Sequence, residues 1–188
     1  MKYKLTKKQK TIRGITLYQI QALKNFGNVK KGNLGGWIET EDNLRHEGNA
    51  WVSGNAWVGG NALVCDNAVV CDNAVVCENA VVCVNAVVSG NAVVCVNAVV
   101  SGNAQVYGDA VVSGNAQVYG DAVVSGDAWV RGNTRVYGDA QIEDYKNMSQ
   151  NNLPDILSTL PKEVTSITIS GKTYKLETKW VLQDKVVD

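Results

Sequence analysis

From Gly48 to Glu143 the chain reads GNAWVS GNAWVG GNALVC DNAVVC DNAVVC ENAVVC VNAVVS GNAVVC VNAVVS GNAQVY GDAVVS GNAQVY GDAVVS GDAWVR GNTRVY GDAQIE. A branched aliphatic recurs every six residues, from Val52, Val58 and Val64 to Val136 and Ile142, in sixteen hexads without insertion or deletion. Two positions before each stands Ala, with Thr134 the exception, and before that Asn or Asp. A repeat this regular is a solenoid, and a six-residue period specifies a parallel β-helix.

Side chains along a strand alternate between two faces, so Ala and Val point one way and the residues between them the other. The constant Ala and Val therefore face the core. Gly-Asn and Gly-Asp supply the bends, because both residue types tolerate left-handed backbone angles. Ala beside the corner leaves room for the chain to turn, and Val fills the middle of a wall. Stacked Asn side chains at the corners are expected to form hydrogen-bonded ladders.

The hexad resembles that of the left-handed β-helix, the hexapeptide-repeat fold of many bacterial acyltransferases. The resemblance implies three hexads per triangular coil, hence eighteen residues per coil and a left-handed path. Sixteen hexads then give about five coils and an all-β prism roughly 25 Å tall, capped by small β elements at both ends.

The chain divides into residues 1–48, a different kind of sequence; the repeat, 49–143; and a tail, 144–188. In the first part, YKLT, the basic run KKQKTIRG and ITLYQIQAL read as a two-stranded hairpin, with Leu17, Gln19 and Gln21 alternating against Tyr18, Ile20 and Ala22. FGNVKKGNLGGWIE follows, rich in Gly and Asn, and Leu44 and His46 look like a degenerate first hexad. Residues 1–48 read as a cap over an open solenoid end, which would otherwise present unpaired backbone. The alternative is that Lys2, Lys4, Lys7, Lys8, Lys10 and Arg13 form a basic patch for an anionic partner. In the tail, DYKNMSQNN is polar, a helical turn is expected between Pro154 and Pro161, and VTSITISGKTYKLETKWVL reads as a hairpin turning at Ser170-Gly171-Lys172. Its Ile167, Ile169, Tyr174 and Leu176 lie in the strands. This tail is expected to cap the other end, with a contact module or a swapped arm as the alternative.

A second resemblance rests on Leu17–Leu23, Gly35–Glu39 and Asn43–Val52. These match the Leu-Tyr-x-Ile-x-Ala-Leu strand, the Gly-Gly-aromatic-Ile-Glu turn and the Asn-Leu…Glu-Gly-Asn-Ala-Trp-Val lead-in of uncharacterised bacterial and prophage hexapeptide proteins. It covers about residues 1–143 and concerns architecture. Proteins of this kind are labelled transferases or polymer-forming proteins by fold analogy, and the resemblance carries no activity with it.

Lys and Arg total 18, as do Asp and Glu, so the net charge is zero, which argues against a nucleic-acid binder. MKYKLTKKQK has no apolar run of a secretory signal, and no stretch approaches a membrane span. The expected setting is the cytoplasm of a bacterial or phage-infected cell. Cys65, Cys71, Cys77, Cys83 and Cys95 all follow a core Val and should face outward as small apolar fillers. Their odd number argues against a disulfide framework, although Cys65 stacks with Cys83 and Cys77 with Cys95 within bridging range. With no Cys-x-x-Cys and one His, neither a metal site nor any other cofactor is expected.

Sorting the outward positions by eighteen gives three faces. The first carries Trp57, Val75, Val93, Val111 and Trp129 and is apolar throughout. The second carries Trp51, Val69, Val87, Gln105, Val123 and Gln141, and the third Leu63, Val81, Val99, Gln117 and Arg135. A continuous apolar face is expected to be buried in a symmetric dimer or trimer. A candidate partner-binding patch is Tyr107, Tyr119, Arg131, Arg135 and Tyr137, since Tyr and Arg are enriched at hot spots. Acyltransferases of this fold use a His base and loops that interrupt the coils, as the first resemblance implies. Here the single His46 lies at the lead-in, and no loop interrupts Trp51 to Glu143. The expected function is a non-catalytic structural or interaction protein. The alternatives are a phage-borne protein docking on a host or defence complex, and an acyltransferase-like enzyme.

Overall fold

A computed structural model describes residues 1–143, together with the backbone of residues 166–169 and 172–175. The expected helical turn between Pro154 and Pro161, the hairpin turn at Ser170-Gly171 and the strand position of Leu176 lie outside the described residues. The hexads form a parallel β-solenoid whose rungs pair eighteen residues apart, as in Val75↔Val93↔Val111 and Val69↔Val87↔Gln105. Three sheets make three walls. The first holds the strands beginning at Trp57, Val75, Val93, Val111 and Trp129, the second those from Trp51 to Gln141, and the third those from Leu63 to Thr134. Among the described residues there is no α-helix, and no helix long and apolar enough to cross a membrane.

Each repeat Ala and Val from Ala50 to Ile142 is buried, almost all with no exposed surface. Burying a valine contributes roughly 1.5–3 kcal/mol, and this regular column is the bulk of the core. Thr134 tolerates an Ala slot because its Oγ1 donates to Arg131 O at 2.8 Å. Between coils, the amide of each outward residue donates upward, as in Val69 N to Ala86 O and Val87 N to Ala104 O, both 2.9 Å. The corner Asn side chains stack as expected: Asn67 Nδ2 donates to Asn85 Oδ1 at 3.2 Å, and Asn85 Nδ2 to Asn103 Oδ1 at 3.0 Å.

The stack has about six turns rather than five, because a further coil lies beneath the hexads. Strands β1 (Tyr3–Ile12) and β2 (Ile15–Ala22) form an antiparallel hairpin that continues through the basic run. Strand β3 (Leu34–Ile38) pairs with β2 and runs parallel beneath the first wall, Trp37 under Trp57 and Ile38 under Val58. Leu44 bridges to Val64 in the same way. These offsets are two residues longer than a hexad coil; Leu44 follows Ile38 by the usual six, so the two extra residues fall between Leu44 and Val52, after a 3-10 turn at Glu41–Asn43. Asn43 plugs this turn: its Oδ1 accepts from Glu39 N and Thr40 N, and its Nδ2 donates to Gly60 O and Ala62 O.

Among the described residues no strand of the second wall lies under Trp51–Val52. Side chains close that end instead. Lys2, 0% exposed, donates from Nζ to Ala50 O at 2.8 Å and Glu47 O at 3.4 Å, with Phe26 5.1 Å away across its ring face. Tyr3 donates to Leu44 O and lies near Glu41 O, and with Phe26 it packs edge-on to Trp51, which is thereby buried. Lys2 thus belongs to the closure of the stack, not to a solvated basic patch. Beyond the repeat, strands Ser166–Ile169 and Lys172–Lys175 form an antiparallel hairpin. It pairs along the last strand of the third wall, Thr134 opposite Ile169 and Arg135 opposite Thr168.

Candidate functional site

The sequence places Trp57, Val75, Val93, Val111 and Trp129 on one wall, and they stack in register there. The ladder extends one rung below, to Trp37. That ring is only 8% exposed, because Lys8 and Lys10 lie over it at 5.5 and 4.5 Å. Lys10 also reaches Asn55 O at 3.4 Å, and burial lowers its amine from the ordinary value. Arg13, in the β1–β2 turn, stands close enough for its charge to be felt at the Cys77 thiol. The chain's own hairpin therefore occupies the lower end of this wall. The open part runs from Val75 to Trp129, whose ring is 42% exposed with the Arg131 guanidinium 4.4 Å above it. Rungs above and below cover about two thirds or more of each outward valine, which leaves at most roughly 250 Å² of apolar surface, just under the largest patch on a typical monomer.

The five residues of the expected partner patch share the C-terminal coils but not one side. Tyr119 and Tyr137 stack at 5.2 Å with an interplanar angle of 8° and lie beside Arg135 on the third wall. Arg131 follows the first wall, on Trp129, and Tyr107 follows the second. The structure brings together two pairs, Tyr119–Tyr137 and Trp129–Arg131, rather than a single cluster.

His46 belongs to the lower closure. Its Nδ1 accepts from Lys2 N at 3.2 Å and its ring lies 4.4 Å from that of Tyr3. With Nδ1 accepting, the neutral ring carries its proton on Nε2, which is buried and has no hydrogen-bond partner among the described residues. Two surface hollows lie at this end, one lined by Glu39, Asp42 and Arg45, the other by Lys24, Phe26 and His46. In the first, Glu39 is already engaged, accepting from Gly60 N at 2.6 Å.

The cysteines are all free and half-buried at the corners. Cys65 and Cys83 stack within hydrogen-bond reach, as do Cys77 and Cys95. Burial first, then Asp66, pushes the Cys65 thiol up to about 11; burial and Asp72 do the same for Cys71. The thiol–thiol hydrogen bond raises Cys77, with burial adding to it, and lowers Cys95. Sulfurs of Cys65 and Cys83 and a carboxylate oxygen of Asp66 all lie within 4.8 Å of one another. The sequence reading missed this third member. Its signal was present, since an acid directly follows a cysteine that has another cysteine eighteen residues on.

The geometry agrees with what known proteins show. The family described as YdcK Beta solenoid repeat matches residues 104–117 and 116–132. Over 59 residues the chain is 37% identical to a protein of Escherichia coli (strain K12) named "Uncharacterized acetyltransferase YdcK", an alignment covering 27% of this chain. The match spans 18% of that relative's length. The chain is a parallel β-solenoid similar, over part of its repeat, to hexapeptide-type proteins that bear a transferase label.

Proposed function

We propose that the protein is a non-catalytic structural element, a rigid prism that self-associates through its first wall. The observation that carries this reading is the uncharged, in-register ladder Val75, Val93, Val111, Trp129, left open above the point where the chain's own hairpin covers Trp37. Two such walls face to face remove at most about 500 Å² from water, roughly 12 kcal/mol gross. Lost rigid-body freedom offsets about 4–15 kcal/mol of that, so the dimer is weak, micromolar or weaker. The engagement of His46 in the lower closure, and the unbroken coils between Trp51 and Glu143, support the non-catalytic reading. Free thiols at the corners accord with a reducing cytoplasm. Sedimentation velocity over a concentration series tests the proposal. Mass should rise with concentration in the wild type and stay monomeric in Val93→Lys, with unchanged circular dichroism. A wild type that stays monomeric to the limit of solubility refutes it.

The relative's printed name favours a second reading, transfer of an acetyl group. Incubation with labelled acetyl-CoA and a panel of amines decides between them. Turnover that is lost in His46→Ala would replace the first reading with the second.

A further inference from the structure

Cys65, Asp66 and Cys83 stand at the corner where the chain leaves the third wall for the second. We propose that this corner binds a soft divalent cation of the zinc or cadmium class through the two sulfurs and one Asp66 oxygen. The donor set suits such an ion: thiolates bond zinc at about 2.3 Å and carboxylates at about 2.0–2.2 Å, and three protein ligands leave a fourth position for water. The donors already lie within 4.8 Å of one another, so a small inward closure of two side chains completes the set. The carboxylate is oriented beforehand. Asp66 Oδ2 accepts from Val84 N at 3.1 Å and lies 3.7 Å from the Cys65 sulfur. Binding replaces the protons of two thiols, which pass to solvent. The cation, two thiolates and one carboxylate then carry a net charge of −1.

The backbone supplies a second, independent observation. Most hexads place glycine at the left-handed corner position. After each of the five cysteines a side chain stands there instead: Asp66, Asp72, Glu78, Val84 and Val96, with φ between 59 and 67°. That backbone region is costly for anything but glycine. At Asp66 the side chain supplies the third ligand atom, which glycine lacks. Cys77, Glu78 and Cys95 repeat the residue types at the corner between the first and third walls, without the same close grouping of donors, and both thiols feel the Glu78 charge. Cys71 has Asp72 beside it but Ser53 and Ser89 in the coils below and above, so it serves as an internal control.

The test is titration of the reduced protein with Cd²⁺, read by calorimetry and by the near-ultraviolet thiolate-to-metal absorption. A Cys77→Ser/Cys95→Ser background isolates the corner. One Cd²⁺ per chain is expected there, with a sulfur band, unchanged by Cys71→Ser. Cys83→Ser should lower the affinity by about tenfold or more and reduce the band, and Asp66→Asn should weaken binding while keeping it. Serine already stands directly above Cys83, at Ser101, so Cys83→Ser retains the fold, as circular dichroism can verify. Undiminished affinity in Cys83→Ser, or no sulfur band in the background protein, overturns the proposal.

Discussion

Replacing Lys2 with methionine isolates the consequence of burying one ammonium in the end of a β-stack. In the folded protein burial holds this amine down to about 8 from its ordinary 10.5, with the Glu47 carboxylate opposing the shift and Lys24 adding to it. Below pH 8 both folded and unfolded chains carry the proton, and folding bears the full penalty of desolvating it. Between about 8 and 10.5 the unfolded chain holds more protons, so stability rises with pH; above that the gain is complete. The gap corresponds to at most about 3 kcal/mol, and to about 2 kcal/mol once solvent near the ammonium is allowed for. Lys2→Met carries no such group. It leaves Ala50 O without the donor now 2.8 Å away, which costs about 1–3 kcal/mol. At pH 7 the two effects oppose each other, so the proteins should differ by no more than about 2 kcal/mol. Urea unfolding of both proteins across about pH 6–11 gives the difference directly, and the tyrosines and thiols common to both drop out. The wild type should gain about 2 kcal/mol on the variant between pH 8 and 10.5. A difference that stays flat through that window, or moves the other way, refutes the assignment of Lys2 as a buried, charged closure.

Three further outcomes follow from the corners. Val84 holds φ at 65° with its side chain 42% exposed, so Val84→Asn should stabilise by up to about 1 kcal/mol. Gly102, in the next coil of the same column, has φ +72°, and a Cβ there would lie 2.8 Å from Gly120 N and O, so Gly102→Val should cost about 2 kcal/mol or more; thermal melts check both. Asn85→Ala removes a ladder rung that accepts from Asn67 and donates to Asn103, and should cost about 1 kcal/mol in urea melts.

The walls were legible because Ala and Val at a fixed spacing leave the chain one way to bury them. Register followed from the absence of insertions, and the corner ladders from the recurring Asn. The lower end was not legible for the opposite reason. A lysine at position 2 reads as solvated until Ala50 O and Glu47 O are known to converge on it. Trp37 escaped notice because its coil is two residues longer, which takes it out of any column counted by eighteen. Trp51 was expected outside and does point outward, but Phe26 and Tyr3, far away in sequence, fold over it. The first wall was read at the right positions. Its open area was overestimated, since each valine shields its neighbours in the stack.

The corner amides also give the prism a direction. Every rung presents hydrogen to the rung above, so Asn49, Asn67, Asn85 and Asn103 form a one-way relay. A relay of this kind has no natural length, and identical units could lengthen it indefinitely. Aspartate ends it, because a carboxylate receives and has nothing to pass on: Asn103 stops at Asp121, and Asn91 at Asp109, both at 2.8 Å. The switch from NAVV to DAVV and DAWV late in the repeat is therefore punctuation. It marks which end of the column is finished, and new eighteen-residue units spliced in below Asp109 should continue the relay, whereas units added above it would not.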